Sequence, residues 1–225
     1  MRTFTFLRIA VGICLTVPVA AQTPPRTYIV TNEGDTVRTA VRFNAKMADN
    51  NREAFAFVNN QTVRYAPGDI RAYYNGLQEY ETQRLGEATV FLQRHTAGYA
   101  SLYYCDETML AEMIRNYPRL GDQIGCSLKD AVGSAMKSVK DGSYFNGKIP
   151  VLVTEGKSLR IFDPNLPKRK QELAAYFYDY PGIESLLSQA KLTPETYEQL
   201  VMAYNQWKPQ SLARLVDQEK NASGF

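Results

Sequence analysis

The chain has 225 residues, enough for one or two domains with a real core, and carries 26 basic against 23 acidic side chains. Arg2 and Arg8 fall within the first 21 residues, so residues 22–225 carry 24 basic and 23 acidic groups and are nearly neutral. Nucleic-acid binding needs a basic stripe to neutralise phosphates; none is present, and Lys168-Arg169-Lys170 reads as a solvated helix entry.

Residues 1–21 read as a signal peptide. Arg2 and Arg8 flank a short apolar stretch, Ile9 to Val19, and Val19-Ala20-Ala21 supplies small residues before Gln22. The stretch falls short of the ~20 apolar residues that span a bilayer. Lipid attachment at Cys14 is the rival reading, but Ile13 stands where a small residue is expected. The expected location is therefore periplasmic, outer-membrane-associated or extracellular, with no transmembrane segment in the mature chain. In an oxidising compartment Cys105 and Cys126 are expected to form a disulfide; the other reading is one buried and one exposed thiol.

From Gln22 to Cys105 the pattern is β. Tyr28 to Thr31 and Thr36 to Phe43 form a strand pair around Asn32-Glu33-Gly34-Asp35, with Val37, Thr39, Val41 and Phe43 alternating on one face. The polar stretch from Asn44 to Arg52 reads as a loop. Phe55 and Phe57 lead into Asn59-Asn60, a pair suited to a tight hairpin turn, and Val63 and Tyr65 lead out. Pro67-Gly68-Asp69 punctuates the chain before Ile70 to Tyr74, and Tyr80 to Arg84 is a further strand. A hairpin over 88–105 completes about eight short strands, the spacing of an antiparallel roll, barrel or sandwich.

From Asp106 the spacing is helical. Asp106 caps a helix carrying Leu110, Met113, Ile114 and Tyr117, stopped by Pro118. Ser127 opens another with Leu128, Ala131, Val132, Ala135, Met136 and Val139. A second hairpin over 151–162 either joins the first sheet or forms its own. Helices then follow through Glu172 to Tyr180 and from Thr193-Pro194-Glu195, and Pro209 is expected to start a last one. The hairpin-helix-Tyr-Pro order of 88–118 returns at 149–181, although any amphipathic helix reproduces the spacing. The fold class is α+β: an antiparallel β domain (22–105) and a helical region (106–225) with one inserted hairpin.

Tyr28-Ile29-Val30-Thr31-Asn32-Glu33-Gly34-Asp35-Thr36, the Tyr65-Ala66-Pro67-Gly68-Asp69-Ile70 segment, the Gly98 to Tyr104 strand and the Leu173 to Pro181 helix lie in one order. That order resembles a family of uncharacterised exported β-plus-helix proteins of Gram-negative bacteria. The likeness is one of pattern, covers most of residues 22–225, and implies export and architecture only. The segment 106–148 is longer here than in the family pattern.

A zinc site needs three or four suitably spaced ligands, and the chain has one histidine, His95. No calcium loop and no glycine-rich phosphate loop occurs, so no metal or cofactor is expected. His95 with Cys105 is the tempting nucleophile pair. In a hairpin turning near Thr96, His95 would sit at the tip and Cys105 at the far end, ~25–30 Å away at ~3.3 Å per residue. Glu79 with Glu81, and Asp106 with Glu107, read as edge or cap charges. Of fifteen tyrosines, Tyr73, Tyr74 and Tyr80 cluster around Asn75-Gly76-Leu77. They form the candidate surface for a protein or glycan partner, against a reading in which tyrosine simply suits strands and packs on the core. The sequence favours a non-catalytic binding or structural module over an enzyme; the alternative is a carboxylate-dependent hydrolase working in a groove between β domain and helices.

Overall fold

The computed structural model describes residues 26–117, 119–124, 147–157, 159–162, 169–189 and 191–222. Its order is β1 (Tyr28–Val30), β2 (Thr36–Arg38), α1 (Met47–Arg52), β3 (Ala54–Val58), β4 (Gln61–Tyr65), β5 (Ala72–Tyr74), β6 (Glu79–Leu85), β7 (Ala88–Thr96) and β8 (Ala100–Asp106). Next come α2 (Glu107–Asn116), α3 (Leu120–Ile124), β9 (Lys148–Thr154), β10 (Arg160–Ile161), α4 (Arg169–Tyr176), α5 (Ile183–Gln189) and α6 (Pro194–Ala222). The α+β class holds. Eight strands form one antiparallel sheet in the order β10-β9-β8-β7-β6-β5-β1-β2. The hairpin β3–β4 stands apart, turning through Asn59 and Asn60, both at positive φ, as a tight two-residue hairpin requires.

The second hairpin joins the first sheet, since β9 pairs with β8 from Lys148↔Asp106 to Thr154↔Ala100. The central strands are consequently covered on both sides, and their sequences are apolar runs rather than alternations: Leu102 to Cys105 and Ile149 to Leu152 are all buried. On one face Val90, Leu92, Tyr103, Cys105 and Val151 pack under α2 and α3. On the other, Leu102, Tyr104 and Leu152 pack under α4, α5 and α6. The rest of that second face, around Tyr73, Tyr80 and Phe91, lies under the β3–β4 hairpin. Helices α2 and α4, which follow the two similar hairpins, therefore cover opposite faces, so their shared spacing does not place them alike.

Two sequence expectations change. The polar stretch 44–52 contains α1, whose Asn50 and Asn51 are buried. Pro209 lies inside α6, which runs unbroken for 29 residues. The helix expected from Ser127, with Cys126 and Pro118, lies outside the described residues.

Asn51 explains why a polar segment is buried. The β7–β8 register pairs Gln93 with Tyr104, which would set Phe91 opposite Asp106. The Asn51 carboxamide occupies that rung instead: its Nδ2 donates to the Phe91 carbonyl at 2.6 Å, and its Oδ1 accepts from the Asp106 N–H at 3.1 Å. Asp106 in turn caps α2, its carboxylate accepting from Thr108 and Met109. At the far end of the hairpin, Asn205 of α6 grips Ala100, accepting from its N–H at 2.7 Å and donating to its carbonyl at 2.8 Å. A Cβ at Gly98 would lie 2.4 Å from the Asn205 amide, and φ there is +154°, so glycine is required at this turn.

Replacing Asn51 by leucine keeps the branched outline, adds bulk and strands a buried donor and acceptor, each worth about 1–3 kcal/mol. Urea unfolding of Asn51→Leu should show a loss of about 2–4 kcal/mol, whereas exposed Arg38→Ala should change stability by less than about 0.5 kcal/mol.

Candidate functional site

The β9–β10 turn, the end of α4 and the middle of α6 converge on one carboxylate. Gly156, at φ +74°, turns the chain so that Lys157 reaches back over the α4 terminus. Its ammonium donates to the Tyr176 carbonyl at 2.7 Å and to Asp179 Oδ1 at 2.8 Å. Tyr204 and Lys208 are four residues apart and share one face of α6. Both donate to Asp179 Oδ2, at 2.8 and 2.9 Å. Burial alone would push the Asp179 carboxyl up; the donors Lys157, Lys208 and Tyr204 outweigh it and hold the group well below the usual carboxylate range. Burial first, and then the bond to Asp179, push the Tyr204 hydroxyl up.

Aromatic rings enclose the cations. The Lys157 ammonium lies 5.0 Å from the Tyr178 ring centre and 5.5–5.9 Å from those of Tyr176, Phe177 and Tyr204, within cation–π range. Lys208 lies 5.7 Å from the Trp207 ring. Beside this cluster runs a groove of two adjoining cavities. One, of about 450 Å³, is bordered by Lys157, Tyr178, Asp179, Tyr204 and Lys208. The other, of about 410 Å³, is bordered by Phe162, Arg169 and Glu172. Arg160, Ala175 and Tyr176 line both. Tyr178 is 78% exposed, while its neighbour Phe177 is fully buried.

The tyrosines singled out from sequence lie elsewhere. Tyr73 and Tyr80 are wholly buried, their rings stacked 4.9 Å apart with Phe91 edge-on to Tyr73. The Tyr73 hydroxyl donates to the Asn50 carbonyl at 2.7 Å. Burial pushes the Tyr80 hydroxyl up to about 12. These two belong to the core under the β3–β4 hairpin and offer no surface. Tyr74 alone of the three meets solvent, stacked on Tyr28 at 5.5 Å.

Cys105 is buried beneath α2; its expected partner Cys126 lies outside the described residues. In the observed register Cys105 falls opposite Leu92, three residues from His95, so the two are separated by only ~10 Å along the strand. The longer separation expected from sequence treated the two strands as if laid end to end. His95 nevertheless projects from the opposite face, its Nε2 3.3 Å from Glu198 Oε2 and its ring edge-on to Tyr104. Glu79 and Glu81 both pair with Arg94, and the Tyr103 hydroxyl donates to Glu81 at 2.6 Å. Among the described residues no three His, Cys, Asp or Glu side chains gather as a metal site, and no helix is long and apolar enough to cross a membrane.

The helix expected through Glu172 to Tyr180 carries Leu173, Tyr176, Phe177 and Tyr180 on one apolar stripe, and that pattern singles out none of Lys157, Arg160, Tyr178 and Asp179. The available signal was Tyr178, an aromatic falling off the stripe within the run Tyr176 to Pro181. Comparison with family models, curated proteins and solved structures yields no match.

Asp179→Asn retains the size and removes the charge both lysines contact. At neutral pH the variant should lose about 1–3 kcal/mol, the value of hydrogen bonds to a charged group. The folded carboxyl titrates below its unfolded value of about 3.9, so the stabilisation is complete above that value and disappears as pH falls towards the folded one. Denaturant unfolding of both proteins from neutral to strongly acid pH should therefore show the difference shrinking only in acid.

Proposed function

We propose that the protein is an exported, non-catalytic binding module of the bacterial cell envelope that takes a glycan in the groove between β10, α4 and α6. The export reading comes from residues 1–21, and the binding reading is carried by Tyr178. A ring 78% exposed, 5.0 Å from the Lys157 ammonium and bordering the groove, presents an apolar face with a polar tip. That is the amphipathic character suited to the face of a sugar ring. Polar donors line the same groove, and grooves with a few convergent polar groups are the usual form of a ligand site.

The groove lies where a hydrolase reading would put it, between sheet and helices, but two of its three carboxylates are engaged by neighbouring cations. Asp179 is held ionised by two lysines and a tyrosine, and so lacks the raised pKa of a general acid. Glu172 pairs with Arg169.

Purified peptidoglycan sacculi and a panel of insoluble polysaccharides, incubated with residues 22–225, test the reading. Retention on at least one is expected. Tyr178→Ala should weaken it about five- to thirty-fold, the equivalent of about 1–2 kcal/mol, with unfolding stability unchanged. Retention unaffected by Tyr178→Ala, or no retention on any polymer, contradicts the proposal; release of soluble sugar would favour the hydrolase.

A further inference from the structure

Given that groove as a glycan site, the charges lining it specify what kind of glycan. Four cations border the two cavities, Lys157, Arg160, Arg169 and Lys208, against three carboxylates, Glu155, Glu172 and Asp179. Three of the four cations are already engaged within the protein. Lys157 and Lys208 share the Asp179 carboxylate, and Arg169 pairs with Glu172. The two lysines outnumber their one acid, so the cluster keeps an excess of positive charge.

Arg160 differs from the other three. It is exposed, it lines both cavities, and it has no ion pair among the described residues. Its place follows from the strand: Ile161 packs on the α2–α3 face, so Arg160, one residue earlier and paired with Leu152, lies on the opposite face, the one that α4 to α6 cover and the groove borders. Strand β10 is also the sheet's edge, which opens the guanidinium to anything lying along the groove. A guanidinium offers a rigid fork of donors matched to a carboxylate. Next to it stands Tyr176, whose ring lines both cavities.

We propose that the groove selects a glycan bearing carboxylate groups on its sugars, with Arg160 pairing to a carboxylate and the tyrosines Tyr176 and Tyr178 meeting the sugar faces. Glu155, exposed at one end, disfavours a second carboxylate there, so one end of the groove is more tolerant of acid than the other.

Polygalacturonate and its fully methyl-esterified form share a backbone and differ in charge, which makes them the probes. In affinity measurements at physiological salt, where exposed charges are partly screened, the acidic polymer should bind at least about tenfold more tightly than the ester, as for a charge-assisted pair. Arg160→Gln should abolish that preference while leaving weak binding to both, and Arg160→Lys should restore part of it. Poly-glutamate, which has carboxylates without sugar rings, should bind more weakly than polygalacturonate. Equal affinity for acid and ester overturns the carboxylate selection while leaving the glycan reading standing. Poly-glutamate bound as tightly as polygalacturonate shows a general polyanion surface and overturns it too. Failure to bind polygalacturonate by a protein that still binds sacculi through Tyr178 also removes the selection, whereas failure on every polymer removes the glycan reading with it.

Discussion

The central stretches of strands β7, β8 and β9 have no face left for water. Consecutive side chains from Leu102 to Cys105 and from Ile149 to Leu152 are buried, and each large apolar one stabilises by about 1.5–3 kcal/mol only while its face stays covered. This sheet therefore needs two separate covers, and the chain supplies them from different stretches. Helices α2 and α3 close one face. The other is divided between the β3–β4 hairpin with α1, which precede the central strands, and α4 to α6, which follow them. Chain segments far apart in sequence meet on one sheet because neither side could be left open.

Apolar packing does not by itself fix where a cover sits, and here polar side chains set the position. Asn51 takes the place of a ladder rung between β7 and β8. Asn205 holds the β7–β8 turn to α6 across 105 residues of sequence. Asp179 ties the β9–β10 turn to α4 and α6 through Lys157, Lys208 and Tyr204. The groove follows from this arrangement. Where the helical cover ends at the short edge strand β10, the sheet edge and the helix ends leave a channel walled by tyrosines and lined by cations.

Much of this architecture was legible before folding. The strand pairs, the Asn59-Asn60 turn, the Asp106 cap and the helices from Leu110 and from Thr193 follow from alternation, capping and helical spacing, which are local. What was not legible depended on distant partners. Asn44 to Arg52 looks like a loop because its buried groups are asparagines, and nothing local says that Asn51 will satisfy two strands. Tyr73 and Tyr80 look available until the β3–β4 hairpin covers them. Pro209 reads as a helix start, yet the helix begun at Pro194 passes through it. The site was hidden for the same reason: Lys157, Asp179 and Lys208 are spread over fifty residues of sequence and meet only when α6 packs against the β9–β10 turn.

The claim on which the groove depends is that Asp179 is ionised at neutral pH as the hub between two lysines. Carbon-13 NMR of the aspartate carboxyl carbons, followed through an acid titration of the folded protein, measures this directly. Asp179 should titrate well below the ordinary aspartate value of about 3.9, and Lys157→Met should move it upward. An Asp179 carboxyl that titrates at or above the ordinary value, unmoved by loss of Lys157, would contradict the account.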